Sequence, residues 1–259
     1  MSDIRLHLGD CLEELKHLED ASCDCIIDDL PYETLNRGSE GGKWDNIIPF
    51  EPMWEQFLRV TKENSAIILF GQGIFSARLI MSNPKYYKYS LVWAKGNPSG
   101  FLNANRMPLR EHEDILVFYG KQPTFHPQMK PCSKDNVIHS RGRLTKPITN
   151  NCYGKRIEME SNVRCEKCPT SILKFAKPHY KGQHPTEKPV ELLRWLIRSY
   201  TNKEDVVLDA TMGSGSTGVA SVIEGRSFVG IEKDAHWYDV ANERINKAAL
   251  TPQQIELKI

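Results

Sequence analysis

The chain has no run of about 18 or more consecutive apolar residues, which excludes a membrane-spanning helix. Its first ten residues, MSDIRLHLGD, lack a basic segment followed by an apolar one, so no secretory signal is expected there. There is no internal repeat and no low-complexity tract, which excludes repeat architectures and long compositional disorder. Cysteine is scarce, seven in 259 residues, and the odd number argues against a disulfide framework. Reduced thiols and a cytoplasmic setting, in a bacterial or phage-infected cell, are the expectation. What remains is 40% hydrophobic and 26% charged, with a mean hydropathy of −0.47, as in a soluble globular protein. The length suits one large domain, or one domain carrying an insert.

The net charge of +1 hides an uneven distribution. Residues 120–181 hold 13 Lys/Arg against 4 Asp/Glu, and the rest holds 21 against 29. A basic middle on an acidic frame points to a polyanionic partner. A solvated, lysine-rich loop region accounts for the charge equally well.

Alternating strands and helices occupy both ends. Strands are expected at Ile4–Leu8, Cys23–Asp28, Ala66–Phe70, Tyr89–Trp93, Ile115–Tyr119, Val206–Leu208 and Phe228–Ile231. Helices are expected at Cys11–Leu18 with Asp10 as N-cap, and at Pro52–Lys62. Others follow Gly73 up to Ile80, then cover Pro189–Tyr200, Thr217–Glu224 and Ala235–Ala249. Between Gly120 and Gly182 the periodicity stops, and a segment of that length is read as an inserted module. The resulting organisation is 1–119, an insert at 120–182, and 183–259. The fold class is α/β, a doubly wound, mostly parallel sheet.

Two segments carry chemistry. Asp209–Gly218 (DATMGSGSTG) joins a strand to a helix. Gly213 and Gly215 let a ligand approach the main chain, and Glu232 ends the next strand, where α/β folds place an acid for ribose hydroxyls. No GK[ST] follows, and the acid before the glycines disfavours phosphate. S-adenosylmethionine, with an adenosine, a sulfonium and an amino-acid part but no phosphate, fits these residues.

The second segment is Asp29–Tyr32 (DLPY), directly after a strand. The Asp29 carboxylate and the Leu30 carbonyl can accept the two N–H bonds of an exocyclic amine. Pro31 stiffens the loop and Tyr32 offers a ring for stacking. Drawing both N–H bonds out of the base plane localises the nitrogen lone pair for attack on a methyl sulfonium.

These residues resemble the DNA amino-methyltransferases. DLPY is similar to their catalytic (D/N/S)PP(Y/F) motif, and Asp209–Gly215 is similar to their cofactor loop. The order, catalytic motif first and cofactor loop last around a basic insert, resembles the permuted beta class, including its phage and restriction-modification members. LGDCLEELKHL at 8–18, AIILFGQGIFSARLIMSN at 66–83 and HPTEKPVELL at 184–193 extend the resemblance over nearly the whole chain. The resemblance implies a Rossmann-like S-adenosylmethionine-dependent methyltransferase fold. It implies a target-base site at Asp29, Leu30, Pro31 and Tyr32. It implies cofactor binding at Asp10, Cys11, His184, Thr186, Lys188, Asp209, Thr211, Gly213, Gly215 and Glu232. It makes 120–182 the target-recognition region, with Arg141, Arg143, Lys155 and Arg156 as DNA contacts.

An aspartate at the head of the tetrad resembles the adenine-N6 members. Methylation of cytosine N4 or of RNA, and a DNA-binding homologue without activity, are the other readings. Double-stranded DNA is the implied partner, its base flipped out to react. A homodimer is compatible with the resemblance. The sequence departs from the family at Leu30, where proline is usual, at Asp28 and Glu33, which are additional acids, and at Ala210–Thr211, where Pro-Phe is commoner.

Cys165 and Cys168 have metal-ligand spacing, with Cys132, Cys152, His126 and His139 in the same insert. No second CxxC pair exists, so free thiols without metal are expected there, structural zinc being the alternative. Trp44 either covers the cofactor, packs beside the flipped base, or anchors its loop.

Overall fold

The computed structural model describes residues 2–32, 46–131, 166–177 and 187–250. Trp44, Arg141, Arg143, Lys155, Arg156, Cys165, His184 and Thr186 lie outside the described residues. The chain forms two compact units, 1–126 with 171–259, and 127–170.

The larger unit is built on an eight-stranded sheet. Its strands are β1 (Ile4–Leu8), β2 (Cys23–Asp28), β3 (Thr61–Gly71), β4 (Tyr87–Ser99) and β5 (Arg110–Phe118). The others are β8 (Ile172–Lys174), β9 (Val206–Asp209) and β10 (Ser227–Glu232). In the smaller unit, β6 (Lys130–Pro131) and β7 (Glu166–Lys167) form a short antiparallel ladder. The large sheet runs β1-β10-β9-β2-β3-β5-β4-β8, and only the two pairings made by β3 and β4 with β5 are antiparallel.

Continuous apolar runs form the central strands because both faces are covered. On β2 and β3, Ile26, Ile67 and Leu69 face one core, while Cys25, Ile27, Ala66, Ile68 and Phe70 face the other. The first core is closed by α1 (Cys11–Glu14), α2 (Phe50–Val60) and α3 (Ile74–Ser82). The second is closed by α4 (Val190–Tyr200), α5 (Ser216–Ile223) and α6 (Ala235–Leu250). Three helices on each face make the sheet doubly wound.

Asp10 caps α1 as expected, its carboxylate accepting from the Leu12 N–H at 3.0 Å. In α4, Leu192, Leu193, Leu196 and Ile197 are fully buried, each contributing about 1.5–3 kcal/mol relative to exposure. The expected strands all form, several longer than their apolar runs suggest. The helix expected over Cys11–Leu18 is α-helical only to Glu14 and continues as a 3-10 turn at Leu15–His17, and α2 stops at Val60 because Thr61 and Lys62 already belong to β3. Residues 120–126 and 171–177 pack with the larger unit rather than with the expected insert. The strand Ile172–Lys174 does not stand out in the sequence: it is three residues long, with only two consecutive apolar residues, too short for a period to show.

Neighbouring β2 and β9 are parallel, with Cys25 opposite Val207 and Ile26 opposite Leu208. The chain leaves β2 for β3 on one side and β9 for β10 on the other. Connections that diverge this way open a crevice at the carboxyl ends of the strands. Both acidic segments end there.

Candidate active site

A cavity of about 800 Å³ occupies the crevice. Asp10 and Cys11 after β1, Asp29–Tyr32 after β2, Asp209–Gly213 after β9 and Glu232 at the end of β10 all line it. Lys188, just before α4, lines it as well. Gly215 does not. It starts α5 at φ +80, and a Cβ there would meet the Ala241 Cβ at 2.8 Å. Its smallness serves the approach of α5 to α6.

The tetrad is held from three directions. Leu30, where the family pattern has proline, is 3% exposed and belongs to the first core. Burial replaces ring stiffness as the restraint on this loop. The Tyr32 ring lies 4.6 Å from that of Phe75, and its hydroxyl donates to Asp29 Oδ1 at 2.5 Å. Burial and the adjacent Asp29 carboxylate push the Tyr32 phenol up, keeping it a proton donor.

Lys188 Nζ donates to Asp29 Oδ2 and lies 3.5 Å from Glu113 Oε2. Lys95 Nζ sits 2.5 Å from Glu113 Oε1. Burial raises the Asp29 carboxyl, and the Lys188 ammonium opposes the rise. Burial disfavours the Lys188 charge, but Asp29 and Glu113 outweigh it and raise the ammonium overall. Burial would raise Glu113 too, yet Lys188 and Lys95 bring it below its usual range. Glu113 and Lys95 do not stand out in the sequence because each lies in a polar stretch, REHED at 110–114 and KGNPS at 95–99, that no motif singles out. A charged residue opposite Trp93 on an inner hairpin was the available clue.

Below the tetrad, Asp28 is 1% exposed. It accepts from the Ala210 N–H at 3.2 Å and from the Thr211 hydroxyl. Thr211 takes the place of a commoner aromatic residue and also reaches the Asp29 carbonyl at 3.2 Å. It thereby joins the ends of β2 and β9. Burial pushes the Asp28 carboxyl up to about 7. Asp209 is raised by burial and then by Asp28. Two carboxyl groups so placed favour retention of a proton between them. Asp28 is therefore an interior bridging group, not an acid presented to a partner.

On the other side, Glu232 accepts from the Gly213 N–H and the Asp234 N–H, each at 2.8 Å. These bonds fix the carboxylate at the cavity wall and leave lone pairs for further donors. Gly213 has φ +51, a left-handed conformation that favours glycine. Asp10 Oδ2 accepts from Lys233 at 3.0 Å across the rim, which lowers the Asp10 carboxyl, partly against burial. Burial pushes Cys11 up to about 12, so its thiol is inert.

The sequence profile described as DNA methylase matches residues 23–243. The chain belongs to the DNA methylase family. It is 27% identical over 270 residues to the type II methyltransferase M.HinfI of Haemophilus influenzae, covering 96% of this chain and 70% of that one. It is 25% identical to the type II methyltransferase M2.MboI of Moraxella bovis, covering 96% and 89%. Among solved structures, the complex of M1.HpyAVI with SAM superposes with a TM-score of 0.61 at 24% identity, covering 94% of this chain and 99% of that one. The cytosine-N4-specific PvuII DNA methyltransferase gives 0.64 at 15% identity, covering 97% and 93%. These solved relatives establish the methyltransferase fold.

For a DNA methylase, the methyl donor is S-adenosylmethionine, and the cavity suits that molecule. It has a fixed carboxylate at Glu232 for ribose hydroxyls and apolar walls at Leu12, Pro31, Ile47 and Met212 for an adenine. Its several carboxyl groups suit a cationic ligand better than a phosphate. Among the described residues no helix is long and apolar enough to cross a membrane. Among the same residues, no group of three or more His, Cys, Asp and Glu is placed to hold a metal ion. Cys168 is exposed and free of any disulfide, and Cys165, the other cysteine of the CxxC spacing, lies outside the described residues.

The raised Asp28 has a consequence for stability. The folded state binds its proton more tightly than the unfolded chain, whose carboxyl titrates near 3.8. The proton-linked stabilisation is full below that value and is lost as pH rises through about 7. Asp28→Asn can still accept from Ala210 and donate to the Thr211 oxygen. This variant is expected to be about 1–2 kcal/mol more stable than the parent at pH 8. Its advantage should be gone by about pH 6 and reversed at pH 5, as read by urea unfolding across that range.

Proposed function

We propose that this DNA methylase moves a methyl group from S-adenosylmethionine to N6 of an adenine flipped out of duplex DNA. The observation that carries the reading is that one and the same cavity, at the β2/β9 crevice, serves both motifs. It is lined both by the Asp29–Tyr32 tetrad and by the Gly213–Glu232 pair. Bound S-adenosylmethionine supplies an electrophilic methyl on sulfur. Asp29 accepts one amine N–H, the Leu30 carbonyl accepts the other, and the Tyr32 ring stacks on the base. The amine is then held with its lone pair directed out of the base plane. The reaction leaves S-adenosylhomocysteine, the methylated amine and one proton.

Glu232 and Gly213 hold the adenosine part, with Asp10 and Cys11 at its rim and Asp209 and Thr211 beneath. Glu232→Ala is expected to weaken S-adenosylmethionine binding about tenfold or more, the loss of one to two good hydrogen bonds. Tyr32→Ala is expected to slow transfer while leaving that affinity nearly unchanged. Calorimetric titration and single-turnover rates separate the two. Equal losses of affinity in both variants would contradict the division of roles.

Adenine is favoured over cytosine by the aspartate at the head of the tetrad. Arg141, Arg143, Lys155 and Arg156, with the surrounding basic insert, are assigned to DNA phosphate contacts on charge alone. His184 and Thr186 are assigned to the cofactor on their resemblance. A homodimer in the cytoplasm completes the reading, and sedimentation tests the assembly.

The deciding experiment incubates the protein with isotope-labelled S-adenosylmethionine and unmethylated duplex DNA of mixed sequence, then identifies labelled nucleosides by mass spectrometry. N6-methyladenine is the expected product. N4-methylcytosine would overturn the choice of base and keep the mechanism. Absence of label, with cofactor and DNA binding intact, would favour a binding protein or an RNA substrate.

A further inference from the structure

Five side chains form one chain of contacts: Tyr32, Asp29, Lys188, Glu113 and Lys95. Lys95 and Lys188 are buried, and the Glu113 side chain is 14% exposed. The charges alternate, two carboxylates with two ammonium groups, so the buried set is neutral. The arrangement is lopsided at one point. Lys188 is bonded to Asp29, whereas Glu113 Oε2, 3.5 Å away, is a buried oxygen without a hydrogen-bond partner. A buried acceptor left unmade is costly unless it is used in another state.

We propose that Glu113, seated by Lys95, is a positioning residue for Asp29 that gives the Lys188 ammonium a second carboxylate to bind when Asp29 takes up the target amine. The inference rests on the role proposed for Asp29. In the structure both Asp29 oxygens are engaged, Oδ1 by Tyr32 and Oδ2 by Lys188. An incoming amine N–H competes with the ammonium for that second oxygen. If Lys188 had no other acceptor, the competition would leave a buried cation unpaired. Glu113 Oε2 lies one short side-chain movement away and removes that penalty. Lys95 holds the opposite oxygen, so Glu113 itself cannot turn to follow Lys188. Glu113 and Lys95 come from adjacent strands of a hairpin, a rigid support for a site otherwise built on loops.

The charges that face Asp29 set the test. Glu113 on β5 repels its negative charge and Lys188 before α4 attracts it; Tyr32 donates a hydrogen bond. Asp28 lies beside it, and Asp209 is beneath. Lys95 on β4 and Lys177 after β8 act through Glu113 and Lys188. Glu113→Gln removes the repulsion and leaves Lys188 wholly to Asp29. The acid limb of the pH–rate profile should move down by about one unit. The maximal single-turnover rate should fall at least about tenfold, because the ammonium is harder to displace. Lys95→Met strips Glu113 of its counter-charge, and the limb should move up instead. S-adenosylmethionine affinity should stay within about twofold of the parent in both, since neither removes a cofactor contact.

Opposite movements of the limb, on protein whose cofactor affinity and unfolding transition are intact, would establish the role. An unmoved limb in both variants would overturn it and leave Glu113 a structural ion pair. Should Glu113→Gln fail to fold, Lys95→Met decides alone: an upward limb supports the inference and an unmoved one sinks it. The parent protein is assayed alongside for N6-methyladenine. Its failure to form would refute the proposed function itself, and is distinguishable from a variant-specific result.

Discussion

Replacing Asp29 with alanine is expected to lower the transfer rate about a thousandfold while S-adenosylmethionine affinity changes by no more than a few-fold. The size follows from what the carboxylate does. It accepts a hydrogen bond that strengthens as the amine nitrogen pyramidalises, and removal of one such preorganised contact costs about 10²–10³ in rate. Loss of the charge that draws the base into the cavity adds to this. The fold should survive, because the Lys188 ammonium released by the substitution still has Glu113 at 3.5 Å. Tyr32 remains against Phe75, and Leu30 remains in the first core. Single-turnover formation of N6-methyladenine, read beside calorimetric cofactor titration and thermal unfolding, checks all three statements. A variant that kept the parent's DNA affinity and showed no change in any activity would mean that Asp29 is not in the reaction. That is the expectation for a homologue that only binds DNA.

The parts of this site that were legible in the sequence are those where backbone and chemistry coincide. Val206–Leu208 reads as a buried strand because its apolar residues are continuous, and Cys23–Asp28 because its apolar stretch Cys25–Ile27 runs straight into acids, which therefore fall at the crevice. Asp10 reads as a cap because a carboxylate before a helix is there to accept an N–H. Leu30 is harder: against a family pattern of proline it reads as a loss of stiffness, and the restraint that replaces it is burial in the first core. Asp28 reads as a surplus acid facing the pocket, whereas its partners are Ala210 and Thr211 of the turn after β9, 182 and 183 residues away. The resemblance implies a cofactor role for Lys188. It does line the cavity, but its bonded partner is Asp29. Spacing along the chain carries no information on pairings of that kind, which depend on which strand ends meet.

Gly215→Val is expected to destabilise the protein by roughly 3 kcal/mol or more, with a loss of cofactor affinity only as far as the fold is lost. Two costs add. The residue sits at φ +80, where a β-branched side chain is strained. Its Cβ would also lie 2.8 Å from the Ala241 Cβ and 3.0 Å from the Ala241 Cα. The second of these is backbone of α6 and cannot rotate away. The only relief is to move α5 from α6, which opens the core around Phe228 and Ile245. Gly213→Ala is the contrast. Gly213 lines the cavity, and its N–H holds Glu232, so strain there acts on the carboxylate assigned to the ribose. That variant should lose cofactor affinity by more than its loss of stability explains. Urea unfolding and cofactor titration of the two variants thus assign the glycines of one motif to different tasks, one to helix packing and the other to the ligand. A Gly215→Val protein of parental stability that no longer bound S-adenosylmethionine would return Gly215 to the binding loop.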